Sequence, residues 1–381
     1  MLERRNAGTA ECCNIGKARP YAAGVKRDPG NRDNGGAVAG RGSRVKATDV
    51  AKHAGVSIAT VSLVANGKAE GRVSETTRQR VESSIRELGY VVNPSARSLV
   101  TGRYGRIALL AHDLTNPFIA TVAAGVVEAA PADLQVLLGA GGAESAPPDV
   151  AMIASFGVDG MLLNLDDGEY DPELLDFPVV VVDEHEPRAN ASRVYFDLAH
   201  GTAMLAGHLA ELGHRTVVYL DSTRPRSTFT SRRTHFRNQF RKVAVEGKVL
   251  RVRSGIDLNA AAEVTARSVD DWLAQGATAI VTATDVQAYG VLAGLAGAGI
   301  DVPGRMSVAS FDNNLMSMIT RPPLTSVDLS ARALGREAVT LLVDEIARNG
   351  RPGRSVQLPT SLVVRGSTAP APRRKVRQSR P

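Results

Sequence analysis

Between residues 106 and 312 the chain repeats one pattern: a short apolar run, a polar stop, then a stretch of helical character. The runs are RIALLAHDL (106–114), LQVLLGA (134–140), GMLLNL (160–165), PVVVVD (178–183), TVVYLD (216–221), AIVTATD (279–285) and SVASFD (307–312). Apolar strands without polar alternation are covered on both faces, which means parallel sheets flanked by helices. The segments 117–130, 199–212 and 286–298 supply such helices. The chain after residue 105 runs for over 260 residues, too many for one such sheet, so two are expected. The fold class is therefore α/β. Ligands in this architecture sit at the carboxyl ends of the strands. Asp113, Asp183, Asp221, Asp285 and Asp312 stand at such ends.

The chain before residue 106 reads differently. Residues 1–44 are rich in Gly, Asn, Arg and Ala without apolar periodicity, and are expected to be disordered. Thr48 is placed to cap a helix over 49–54, and Gly55 suits a turn. Ser57 caps a second helix over 58–65, ended by Asn66-Gly67. Ser74 begins a third, with Val81, Ile85 and Leu88 at i, i+4 and i+7 and Gly89 closing it. Val50, Ala51, Val56, Val61 and Val64 complete a small three-helix core. Asn93-Pro94 caps one more short helix over 94–100.

Two short helices around a glycine have helix–turn–helix geometry, in which the second helix enters the major groove of DNA. Ser57, Thr60 and Ser62 offer hydroxyls to phosphates, with Lys52, Lys68, Arg72 and Arg78 supplying charge nearby. The outer positions of that helix, however, are the apolar Ile58, Ala59 and Leu63.

Charge is divided in the same way. Residues 1–105 hold 18 Lys+Arg against 9 Asp+Glu, residues 106–372 hold 23 against 30, and residues 373–381 add five positive charges and no negative one. A basic head on an acidic body suits a head that meets a polyanion. The two cysteines, Cys12 and Cys13, are adjacent and build neither a disulfide framework nor a four-ligand zinc site. No run of about 18 apolar residues spans a membrane, and no apolar segment follows Arg4 and Arg5 as in a secretion signal. A cytoplasmic location is expected. No GxxxxGK[ST] loop, GxSxG elbow, HExxH or CxxC is present, so no catalytic residue, cofactor or metal is expected.

Taken together, VKATDVAKHAGVSIATVSLVANG and VSETTRQRVESSIRELGYVVNPSARSLVTG resemble the DNA-binding head of the LacI/GalR family of bacterial transcriptional repressors. The resemblance continues through HDLTNPF (112–118), VDG (158–160), HLAELGHR (208–215), SFDN (310–313), PPLTSV (322–327) and LVVRGST (362–368). It implies a helix–turn–helix headpiece over 45–92, a hinge helix and linker over 93–105, and a two-lobed core over 106–368. That core is similar to periplasmic sugar-binding proteins, its lobes joined by three crossing strands. Residues 369–381 are expected to form a basic, disordered tail.

Matched residue by residue, the resemblance places Thr48, Ser57, Ile58, Ala59, Thr60, Ser62, Leu63, Arg72, Ser74 and Arg78 at the DNA. In the hinge it places Asn93, Ala96, Leu99 and Val100, with Leu99 as a wedge that opens the minor groove. A homodimer on a roughly palindromic operator follows, with a tetramer left open. In the cleft it implies Asn116, Phe118, Asp183, Asp197, Arg232, Asp285 and Asp312 as contacts to a small-molecule, sugar-like effector.

Four departures stand out. Relatives carry polar or basic base readers where this chain has Ile58, Ala59 and Leu63, and the segment from Gly67 to Arg72 is two residues longer than usual. Thr284 replaces the usual Asn, and His235 replaces a usual small residue. Two other readings follow from these departures and from the core: a regulator without an effector, and a solute-binding receptor without a DNA role.

Overall fold

The computed structural model describes residues 45–91, 102–141, 147–165, 170–171, 175–187, 191–224, 226–348 and 353–372. They fall into two units, one ending at Val92 and one beginning at Asn93.

The first unit is three helices: α1 (Ala47–Ala54), α2 (Ile58–Ala65) and α3 (Glu75–Leu88). Their inward side chains, Val50, Ala51, Ala54, Val61, Val64, Ala69 and Val81, form one buried cluster. Gly55 turns the chain between α1 and α2 at φ 62, a left-handed conformation costly for residues with a Cβ. The start of α1 differs from expectation. Lys46, not Thr48, is the N-cap, because the Asp49 carboxylate accepts a hydrogen bond from the Lys46 backbone N–H at 2.8 Å. Thr48 lies inside the first turn, exposed. Ser57 and Ser74 cap α2 and α3 as expected, accepting from the N–H groups of Thr60 and Thr77.

The second unit contains two six-stranded sheets. Its strands are β1 (Arg106–Ala111), β2 (Gln135–Ala140), β3 (Gly160–Asn164), β4 (Val179–Val182), β5 (Ser192–Phe196), β6 (Thr216–Ser222), β7 (Lys248–Ser254), β8 (Ala279–Thr282), β9 (Ser307–Asp312), β10 (Thr325–Asp328), β11 (Ser355–Leu358) and β12 (Ser361–Val363). Sheet one runs β11-β5-β4-β3-β1-β2, all parallel. Sheet two runs β12-β10-β9-β8-β6-β7, parallel except for β12. Helices α4 (Pro117–Ala129), α5 (Val150–Ser155), α6 (Leu198–Glu211), α7 (Ser227–Val243), α8 (Leu258–Ala274), α9 (Asp285–Gly297) and α10 (Ala331–Ala347) accompany them.

Each lobe is assembled from separate parts of the chain. The chain leaves lobe one after β5, returns before α10, and leaves again between β11 and β12. Helix α10 packs on β3, β4, β5 and α4. A Cβ on Gly125 would lie 2.2 Å from the Arg332 carbonyl, and one on Gly335 would lie 2.1 Å from that of Val122, so only glycine permits this contact. The crossings are tied together: Asp197 N–H donates to the Leu358 carbonyl at 2.8 Å and Thr360 Oγ1 to that of Asp197 at 2.9 Å.

The entrance to lobe one is also fixed. Asp159, just before β3, accepts backbone N–H bonds from Tyr104 and Gly105, both at 2.7 Å, and from Arg106 at 3.3 Å.

Candidate functional site: an outward-facing helix and an interlobe cleft

On α2, Val61 and Val64 point into the core, while Ile58 is 52% exposed and Ala59 and Ser62 face solvent. Leu63 is half-buried. The apolar outer face is therefore real and not misplaced core. Ser57 Oγ lies 2.9 Å from Thr60 Oγ1, and Ser62 Oγ accepts from Asn66 Nδ2 at 3.3 Å. Thr48, Lys52, Ser57 and Ile58 line one shallow groove where α1 meets the start of α2. Arg72 is exposed. Arg78 bonds to Glu75 at 2.7 Å and to Glu82 at 3.3 Å, so it lies along α3. Asn93, Ala96, Leu99 and Val100, with the helix expected around them, lie outside the described residues.

The second unit holds a cleft between its lobes, lined from both of them. Five of the expected effector contacts line it: Asn116, Phe118, Asp183, Arg232 and Asp312. Asn116 caps α4 with its side chain, accepting from the Phe118 N–H at 3.0 Å. Arg232, 1% exposed, reaches from α7 to donate to Asp312 Oδ1 at 3.0 Å and to the Ala283 carbonyl at 2.7 Å. Its other terminal nitrogen lies 3.7 Å from Asp183 Oδ2, in the opposite lobe. Its Nε is buried without a partner. Asp183 and Asp312 have φ values of 58° and 114°, a left-handed backbone that costs about 1–3 kcal/mol and collects at binding sites. Burial raises the Asp312 carboxyl above its ordinary range, and the Asp285 charge adds to this against the pull of Arg232.

Two expected contacts do not line the cleft. Asp197 caps α6 at the first crossing, accepting from the His200 N–H at 3.0 Å. Asp285, fully buried, begins α9 behind the lining. It accepts from Ser317 at 2.6 Å, Ser326 at 2.7 Å, the Asn314 N–H at 2.7 Å, and Ser310. Burial raises its carboxyl as well. Thr284 caps α9 and lines the cleft. Trp272 belongs to the core of lobe two.

Sequence reasoning named Asp183 and Arg232 but missed other residues that bridge the lobes. Arg226 donates to Asn164 Oδ1 at 2.8 Å, Ser227 bonds Glu184, and the His185 N–H donates to Ser227 Oγ at 3.0 Å. Thr228 Oγ1 donates to Asp183 Oδ1 at 3.1 Å. His235 lies edge-on to His185, with ring centroids 6.2 Å apart. Burial lowers the His185 pKa, despite the opposing charge of Asp183. All the lobe-two members fall in one stretch around the start of α7, so the only available signal was a cluster of polar residues without helical amphipathicity. No group of three or more metal-binding side chains is found among the described residues. No helix there is long and apolar enough to cross a membrane.

Comparison with known proteins agrees with both units. Residues 47–93 match the profile "Bacterial regulatory proteins, lacI family", and residues 206–368 match "Periplasmic binding protein-like domain". The chain is 30% identical over 344 residues to the HTH-type transcriptional repressor PurR of Erwinia tasmaniensis, covering 87% of this chain and 98% of that one. It is 28% identical over 333 residues to the HTH-type transcriptional regulator DegA of Bacillus subtilis, covering 84% and 97%. Among solved structures, the regulator CelR in complex with cellobiose matches with a TM-score of 0.62 at 27% identity, covering 85% of this chain and all of that one. The lac repressor dimer bound to operator and an anti-inducer matches in fold, with a TM-score of 0.72 at 24% identity over 86% and 99%.

Proposed function

Because the chain belongs to the LacI family of DNA-binding transcriptional regulators, we propose that it is a dimeric repressor acting at a roughly palindromic operator, controlled by a sugar-like effector held between its lobes. The observation that carries this reading is the pairing of an outward-facing second helix with an interlobe cleft in one chain. Ser57, Thr60, Ser62, Ser74, Thr48, Arg72 and Arg78 serve the phosphates, which position the head without reading sequence. Ile58, Ala59 and Leu63 touch thymine methyls, and Asn93, Ala96, Leu99 and Val100 form the hinge at the minor groove. In the cleft, Asp183, Asp312, Asn116 and Arg232 take hydroxyls while Phe118 packs on the apolar face of the ligand. A ligand acts only as far as it prefers one lobe arrangement over another.

Selection of bound sequences from random duplex DNA tests the head. An A/T-weighted half-site is expected, and a strict guanine opposite Leu63 would overturn the assignment of the apolar readers. Thermal-shift screening with sugars and purines tests the core, since a ligand of the folded state raises the melting temperature.

A further inference from the structure

Three guanidinium and three carboxylate side chains line the cleft, Arg224, Arg226 and Arg232 against Asp113, Asp183 and Asp312, but they are not matched one to one. Arg232 takes both Asp183 and Asp312. Asp113 turns to its own loop, accepting from the Thr115 N–H at 2.8 Å and from its hydroxyl at 2.6 Å. Arg226 is left with neutral partners: Asn164 Oδ1 at 2.8 Å, and the carbonyls of Val182 at 3.4 Å and Asp183 at 3.5 Å. No carboxylate among the described residues pairs with it, although the side chain is only partly exposed. The two carbonyl contacts are long and weak, so the cation is poorly compensated.

A guanidinium without an acidic partner suits the planar fork of a carboxylate or phosphate, with which it forms charge-assisted, bidentate hydrogen bonds. Arg226 is also the N-cap residue of the 17-residue helix α7, whose first turn has no side-chain cap. The positive end of that helix therefore adds to the same side of the cleft. Apolar Phe118, Phe229, Ile119 and Ile256 also line the cleft.

We infer that the effector is an anionic sugar derivative, an aldonate or a sugar phosphate, whose acidic group pairs with Arg226 while its hydroxyls meet Asp183 and Asp312. This rests on the sugar-like reading above and sharpens it. Arg226 would exchange its Asn164 contact for the ligand, so the acidic group takes over a bond that now bridges the lobes.

The test is isothermal calorimetry and thermal shift on the full chain with matched series: aldoses, the corresponding aldonates, and the corresponding 6-phosphates. At least one anionic member is expected to bind where its neutral parent does not. Arg226→Gln should weaken that member by about 10- to 100-fold, the usual worth of a charged hydrogen bond. Arg226→Lys, which keeps the charge, should retain most of the preference and show that the fold tolerates substitution there. If a neutral aldose binds as tightly as its acid, or Arg226→Gln leaves the preference intact, the acidic-group assignment is wrong and the sugar reading stands. If no member of any series binds, the sugar reading itself fails.

Discussion

Ile58 is 52% exposed on an eight-residue helix whose cap, turn and core all come from within some forty residues. Arg232 is 1% exposed, and it meets Asp183 and Asp312, about fifty residues before it and eighty after it. The first surface is local, shallow and apolar. The second is assembled from both lobes, buried and charged. A surface of the first kind can change its side chains freely, because they support nothing beneath them. In the cleft, the groups that would hold a ligand also hold the lobes, so binding and stability share the same atoms.

This contrast is testable by its size. Asp312→Ala leaves the Arg232 guanidinium buried without its closest acid, and should cost the core about 3–5 kcal/mol in chemical denaturation. The head's own transition should not move; an equal shift in both would break the separation. His214 provides a pH arm at about 3 kcal/mol. It is buried in lobe two between Thr278 and the Ala369 carbonyl, and burial lowers its pKa to about 4. The folded state thus holds the neutral ring. The unfolded chain takes up the proton below its own pKa near 6.5, so this stability is present above that pH and is lost between about 6.5 and 4. The loss in wild type relative to His214→Gln, followed by urea denaturation at pH 7.5 and 4.5, measures it. No counterpart is expected in the head.

Leu63→Arg should leave the core melting temperature unchanged. It should introduce a preference for guanine at a single operator position, worth about 1–3 kcal/mol in competition binding. Ser57→Ala removes the bond to the Thr60 N–H and should cost about 1 kcal/mol of head stability alone. A larger cost at this exposed cap would mean that the head is less self-contained than its core suggests.

Most of the architecture was legible because the strands that form sheet centres, such as Val179–Val182, are uniformly apolar. The strands not anticipated were edge or mixed ones. Lys248–Ser254 alternates charged and apolar residues at a sheet edge, and Ser192–Phe196 and Ser355–Leu358 are short and partly polar. The expected strand over 279–285 ends at Thr282, because Thr284 instead caps α9 and accepts from the Gln287 N–H. The strand-end aspartates share one pattern in sequence but not one environment. Asp183 and Asp312 reach the cleft, Asp221 pairs with Arg233 and Arg251, and Asp285 is enclosed by hydroxyls. Asp183 and Asp312 also share a positive φ, which Asp221 and Asp285 lack. Arg226 and Asn164 could not be paired in advance, since 62 residues and a lobe boundary lie between them.

The three backbone bonds that Asp159 accepts from Tyr104, Gly105 and Arg106 have a mechanical meaning. They weld the incoming chain to the base of β3, so residues 104–106 move as part of lobe one and not as a slack tether. Any rotation of that lobe would carry residues 104–106 with it. A slack joint would absorb the same rotation as play. Asp159→Ala should leave both ligands bound with their usual affinities when each is measured alone, and should reduce the coupling between them.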